Sequence, residues 1–368
     1  MLQNSSTRKS LIQLLISLLT AIISFSYFNK DPNSFENLAM GNQTSLYQAK
    51  NEKGELIHFL HLDSIEIKQL ESLVSEYKDS GILFLGNSQS HSINQMKRND
   101  CNYIELISKK IPDPCLAFSF PNGNLQEYLL SLDYVLTKVK IKKIFLPVFM
   151  DDLREDGIRD IFFPELNNQK YLIRDKSLIA RQINWDLNKN DLGEKKQEEH
   201  NSTPQDKSEN FLNSYLNQNT IFWSMRETMR GNIFNWLYML RNTIFGIRPG
   251  TVRPMISERY VKNFSALKAI LDISKSNNIE VYLYIPPIRS DVPLPYNIKE
   301  SEKFKLDLEQ LINKYSNARL KDYSTIVPGK YWGYKDATNF IDKREVDYMH
   351  FQYNGHQILA DSLINFIK

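Results

Sequence analysis

The stretch Ile82-Leu-Phe-Leu-Gly86-Asn87-Ser88-Gln89-Ser90 decides how this chain is read. A short apolar run without a polar face suits a strand buried on both sides, as in a parallel sheet covered by helices. Gly86 permits a tight turn, and Ser88 then stands where a helix begins. A hydroxyl there sits at the carboxyl end of a strand, beside free backbone N–H groups and the positive end of a helix dipole. That placement suits a nucleophile whose intermediate is an oxyanion. On this fragment alone an N-cap is the preferred reading of Ser88, since serine is among the commonest caps.

Working outward, Ile67, Leu70, Leu73, Val74 and Tyr77 have helical spacing and predict a helix over Ile65–Tyr77, ended by Asp79-Ser-Gly81. Leu116–Phe120 and Ile144–Phe149 read as the second and third strands. Between them Asn124 caps a helix reaching Val139, with Glu127 at the capping-box position. Further on come a helix over Ile256–Ser276, the clean strand Ile279–Ile285, a helix from Ile298 to Tyr315, a short strand at Arg319–Tyr323 and a last helix over Tyr353–Ile367. Strands alternating with helices imply βαβ units with right-handed crossovers. The fold class is therefore α/β: a flavodoxin-like three-layer α/β/α body with a mostly parallel five-stranded sheet, plus one N-terminal transmembrane helix.

The 368 residues, 42% apolar and 24% charged, suffice for one large domain or two ordinary ones. Lys plus Arg (46) exceeds Asp plus Glu (43) by only 3, which argues against a dedicated nucleic-acid binder. Two cysteines exclude a disulfide scaffold and a four-thiolate zinc site. Leu11–Phe28 is an apolar run without charge, preceded by Arg8 and Lys9 and followed by Asn29, Lys30 and Asp31. It is just long enough to span a bilayer, and its basic flank places everything after Asn29 outside the cytoplasm, periplasmic or at the cell surface. The run ends Ser24-Phe-Ser-Tyr-Phe28 without an Ala-x-Ala pattern, so an uncleaved signal anchor is preferred to a cleaved signal peptide. The expected organisation is a cytoplasmic tail at 1–10, the anchor at 11–28, a linker at 29–64 and a domain over 65–368 with an insertion at about 184–250. In that compartment Cys101 and Cys115 could pair, or remain two buried thiols.

The insertion has two characters. Residues 184–219 are dense in Asn, Lys, Glu, Gln, Asp and Ser and read as solvated chain. Residues 221–247 carry Phe222, Trp223, Phe234, Trp236, Tyr238 and Phe245 interleaved with arginines. Such a stretch is either a basic amphipathic surface for a membrane or partner, or a helical excursion packed on the domain.

A nucleophilic serine needs a base. Of six histidines, His350 lies in Asp347-Tyr-Met-His350, just before the last helix. Asp and His three apart within one turn can meet. The carboxylate then takes the imidazole Nδ1–H and leaves Nε2 to accept a proton. His91 lies one turn after Ser88 and aims elsewhere, and His356 packs within the last helix. His58, His61 and His200 read as surface or loop residues.

A buried strand ending in Gly-Asn-Ser, together with a near-C-terminal Asp-x-x-His followed by a helix (Asp347 to Ala360), resembles the SGNH, or GDSL-like, hydrolase superfamily. The similarity runs from about Ile82 to Lys368. It implies Ser88 as nucleophile, His350 as base and Asp347 as its orienting acid. The second family block supplies a Gly backbone N–H, for which Gly123 in Phe120-Pro-Asn-Gly123-Asn124 is the match. The third block normally ends in an Asn whose side chain donates to the oxyanion. Here the third strand leads into Asp151-Asp152-Leu-Arg154, which reads as a solvated loop with an internal ion pair. Asn122 or Asn124 could replace the missing donor. Asn87 stands where the family usually has Asp.

The resemblance implies acyl transfer through an acyl-serine, with no cofactor and no metal. It is similar to a membrane-anchored branch that modifies cell-envelope polysaccharides. There the partners are an acyl donor, an envelope glycan acceptor and a multi-spanning membrane O-acyltransferase. A catalytically inactive, membrane-tethered interaction module is the alternative. Tyr331, Trp332 and Tyr334 could stack on sugar or pack within the fold.

Overall fold

The computed structural model describes residues 43–77, 81–198 and 204–368, with Gly41 and a few positions between 13 and 20. Among the described residues no helix is long and apolar enough to cross a membrane. Most of Leu11–Phe28, where the anchor is expected, lies outside them, as does His200.

The central sheet has six strands: β2 (His58–Phe59), β3 (Gly81–Gly86), β5 (Cys115–Ser119), β6 (Ile141–Pro147), β7 (Glu280–Ile285) and β8 (Ala318–Asp322). Their order is β2-β5-β3-β6-β7-β8, and every neighbouring pair is parallel. Without β2 this is the doubly wound order in which the second strand lies on one side of the first and the third on the other. The sixth strand corrects the expected five. It comes from residues read as linker, because His58-Phe59 is too short to carry a period-2 signal. Both its residues are fully buried, and it pairs with Ala117 and Phe118. A second piece of that linker, β1 (Thr44–Leu46), pairs antiparallel with β4 (Ser92–Asn94) just after the turn that carries Ser88.

All six residues of β3 are buried, as its unbroken apolar run requires. The Phe84 ring stacks on Phe145 of β6 at a centroid distance of 4.8 Å. Truncating such a buried aromatic to Ala costs about 3–5 kcal/mol. The helix Leu125–Val135 begins with the expected capping box, Asn124 Oδ1 accepting the N–H of Gln126 and Glu127. It packs on the helix Ser257–Ser276, while Tyr103–Ser108 packs on the final helix Tyr353–Ile367. Helices thus cover both faces, giving three layers.

Two compact units divide the chain. The first holds Gln43–Glu194, Pro249–Lys335 and Val346–Lys368; the second holds the few described positions before Asn42 together with Lys195–Arg248 and Asp336–Glu345. The insertion thus departs near 195 rather than 184. The helix Leu178–Glu198 starts in the first unit's core, with Ile179, Ala180 and Ile183 buried and Asn184 bonded to both backbone groups of Ile173. The polar stretch read as solvated chain contains helix at Pro204–Asn219.

Candidate active site

The nucleophile turn is built by its neighbours. Asn87, not Ser88, is the N-cap: its Oδ1 accepts the Gln89 N–H at 3.0 Å, leaving the Ser88 hydroxyl free for other work. Gly86 is required sterically, because a Cβ there would lie 2.1 Å from Ser90 Oγ. Ser88 is half-buried, and its Oγ lies 3.0 Å from His350 Nε2. His350 Nδ1 lies 3.0 Å from Asp347 Oδ2.

Asp347 and His350 belong to β10 (Arg344–Phe351), which pairs with β9 (Trp332–Asp336), rather than to a loop. Three residues apart on a flat strand would face opposite ways. Asp347 defeats that alternation by folding back: its Oδ1 accepts the N–H groups of Met349 and His350, each at 2.9 Å. Burial alone would raise the Asp347 carboxyl, but the facing His350 imidazole and these two N–H groups outweigh it and hold the pKa at about 2. The ionised carboxylate takes the Nδ1–H, so Nε2 presents its lone pair to the Ser88 hydroxyl.

Two side chains that sequence reasoning missed fix this geometry. Gln89 is buried, and its amide donates to the carbonyls of Pro287 (2.8 Å) and Met349 (2.7 Å), tying the nucleophile turn to the end of β7 and to the strand carrying His350. Asn94 Nδ2 lies 3.3 Å from Asp347 Oδ2, 3.2 Å from the Tyr334 carbonyl and 3.0 Å from Thr44 Oγ1. Gly333 admits it, since a Cβ there would lie 1.7 Å from Asn94 Oδ1. Neither residue forms a motif, and each acts through partners distant in sequence.

The opposite side of Ser88 differs from the sequence reading. The Gly123 N–H donates to the Phe120 carbonyl at 2.9 Å, so it is already engaged. Asn124 is fully buried; its Oδ1 caps the helix and its Nδ2 donates to the Gly157 carbonyl at 2.9 Å. Asn122 is exposed, with φ at +50°, and its side-chain amide is held by no hydrogen bond among the described residues. The Ser88 N–H, at the start of the helical turn, is likewise unbonded.

Asp151 and Asp152 take separate paths. Asp151 accepts from the Tyr296 hydroxyl at 2.9 Å and pairs with Arg154 and Arg253. Asp152 is buried rather than solvated, 2.8 Å from Asn87 Nδ2 and 3.3 Å from the Tyr128 hydroxyl. Burial pushes its carboxyl well above the ordinary carboxylate range. An ionised Asp would repel an oxyanion; a neutral one does not.

His58, read as a surface residue, is fully buried with His91. His58 Nε2 and His91 Nδ1 lie 2.6 and 2.7 Å from the Ser119 hydroxyl. Burial lowers His58 to about 3 and holds His91 well below the usual range. His356 packs as expected, accepting the Tyr103 N–H at Nδ1. Trp332 is buried and donates to the Val327 carbonyl, whereas Tyr334 is exposed with the Arg289 guanidinium 5.2 Å from its ring. Cys101 and Cys115 are both free and buried. Among the described residues, no cluster of three or more His, Cys, Asp or Glu could hold a metal ion.

No protein-family model matches the chain, and no curated protein matches it in sequence. Several solved structures are similar to it at a distance. A Streptococcus pneumonia protein described as a candidate platelet activating factor has 12% identity and a TM-score of 0.38, over 84% of this chain and 93% of that one. Axe2, an acetylxylan esterase from Geobacillus stearothermophilus, has 9% identity and a TM-score of 0.36, over 79% and 94%. A carbohydrate esterase family 2 enzyme from Corynascus thermopiles has 10% identity and a TM-score of 0.36, over 78% and 67%. The solved structures similar to this chain thus include esterases, while likenesses this distant assign no role to any residue.

Proposed function

We propose that this protein performs serine-dependent acyl transfer, as an esterase or an O-acyltransferase, with Ser88 as nucleophile, His350 as general base and Asp347 as the group that orients and stabilises the imidazole. The observation that carries the proposal is the unbroken hydrogen-bond chain Ser88 Oγ–His350 Nε2 and His350 Nδ1–Asp347 Oδ2, each link 3.0 Å. Ser88 Oγ attacks the acyl carbonyl carbon as its proton passes to Nε2. The resulting imidazolium faces the Asp347 carboxylate. The oxyanion is met by the Ser88 N–H and the Asn122 amide. Collapse expels the alcohol, which takes the proton from Nε2 and leaves an acyl-serine. Water, or an acceptor hydroxyl deprotonated by the same Nε2, then releases the acyl group.

In the finer reading the acceptor is a cell-envelope glycan and the domain works outside the cytoplasm beside a multi-spanning membrane acyltransferase. The charge-free run at 11–28 supports the tether, and the exposed ring of Tyr334, whose backbone carbonyl accepts from Asn94, supports a sugar-stacking face. A fluorophosphonate probe tests the core of the proposal. Wild-type protein should be labelled stoichiometrically and Ser88→Ala not at all. A folded wild type that resists the probe would leave the non-catalytic module as the better reading.

A further inference from the structure

The helix Arg226–Ile244 turns its apolar face outward. Ile233, Phe234, Leu237, Ile244 and the adjoining Phe245 are exposed, Phe234 by 58%, Ile244 by 67% and Phe245 by 73%. At 100° per residue they fall within an arc of about 120°, and Arg230 and Arg241 fall within the same arc. The other side of the helix seats it on its own unit. Asn242, 1% exposed, donates to the Thr338 carbonyl, Thr243 Oγ1 accepts the Phe340 N–H, and Trp236 packs on Phe340. The polar and buried positions are therefore satisfied within the protein, and the apolar stripe is what remains. A soluble surface helix shows the reverse pattern, and a contiguous exposed apolar patch marks an interaction surface.

We infer that this stripe lies in the headgroup region of an anionic bilayer, a second membrane contact besides the N-terminal run. Charge selects this occupant. Residues 221–248 carry Arg226, Arg230, Arg241 and Arg248 against the single acid Glu227, with Arg248 paired to Asp342 of the same unit. Three of these arginines lean over neighbouring rings: Arg226 over Trp223 at 4.9 Å, Arg230 over Phe234 at 5.7 Å and Arg241 over Tyr238 at 4.7 Å. An aromatic body with a cationic tip suits a membrane interface, where the ring sits among acyl carbons and the guanidinium reaches phosphate. The uncharged run at 11–28 is long enough to hold the chain at such a surface.

The test uses the full chain with vesicles of phosphatidylglycerol or of phosphatidylcholine. Phe234→Cys and, as control, Leu306→Cys on an exposed face of the other unit each carry an environment-sensitive fluorophore; the native cysteines are buried. The label at 234 should shift to the blue and be quenched by brominated lipid on phosphatidylglycerol, while the label at 306 stays unchanged. Neutralising Arg230 and Arg241 to Gln should lower the docked-to-free ratio of the 234 label by roughly thirtyfold on anionic vesicles. A 234 label that reports water on both vesicles overturns the inference. So does a blue shift that appears without lipid and grows with protein concentration, which would identify a second copy of the chain as the occupant. Neither outcome depends on Ser88 chemistry, so this inference and the proposed reaction can fail separately.

Discussion

The two sides of Ser88 are built to different standards. On the base side the groups are tied together: His350 on Asp347, Asp347 on two backbone N–H groups and Asn94, Gln89 on two carbonyls. On the oxyanion side the expected donors Gly123 and Asn124 are engaged in a turn and a helix cap, and the acid after β6 is buried on Asn87. In the proposed mechanism the base side is therefore held in place by hydrogen bonds, whereas the proposed oxyanion donors are the Ser88 N–H and one exposed Asn. In that mechanism the exposed Asn122 side chain is ordered against the oxyanion at the cost of its rotamer freedom.

That asymmetry can be broken experimentally. His350→Ala should lower kcat on an activated ester by about 10⁴-fold or more. Adding Ser88→Ala should cost almost nothing further, since the two act as one unit. Asp347→Asn should lower kcat by about 10²–10⁴-fold, because no backbone carbonyl takes the His350 Nδ1–H in its place. Asn122→Ala probes the weaker side and should lower kcat by about 10–100-fold with KM little changed; an unaltered rate would show that Ser88 N–H acts alone. Gln89→Leu removes both ties between the turn and the His350 strand. It should lower kcat about tenfold in a protein that still takes up fluorophosphonate, only more slowly.

Acid should undo the fold behind the site before it protonates Asp347. His58 and His356 have folded values near 3 against 6.5 when free. Below about pH 6.5 the unfolded chain binds protons that the folded one refuses, so stability falls as pH falls. The loss is about 1.4 kcal/mol per pH unit for each histidine until the folded value is reached. Asp347 has the opposite sign of charge and a depressed value, so its contribution is present above 3.8 and lost only as pH falls toward 2. Chemical denaturation midpoints between pH 7 and 5 should therefore decline, and His356→Gln should flatten the decline.

Much of the body was legible because strong local signals agree with the tertiary outcome. Four apolar runs and the short strand expected at Arg319–Tyr323 became five of the sheet strands, and the capping box at Asn124 and Glu127 starts its helix within one residue of the expected place. β2 was not legible, since two residues carry no periodicity and only pairing with β5 makes them a strand. The identity of the cap at Asn87 was hidden for a related reason: Asn and Ser both cap well, and only the direction of the side chain separates them.

By itself the sequence determined the kinds of group available: a buried strand delivering a serine to its carboxyl end, and an Asp-x-x-His ahead of a helix. Those are local properties of propensity and spacing. Only the tertiary structure decided which groups are free to act. It brought Ser88 and His350 together across 262 positions of chain and folded the Asp347 side chain back so that it reaches its own strand's imidazole. It also buried Asp152, which pushes that carboxyl well above the ordinary carboxylate range, and turned one helix of the insertion apolar side out. Hydrogen-bond saturation and burial depend on partners far away in sequence, which is why no local pattern announces them.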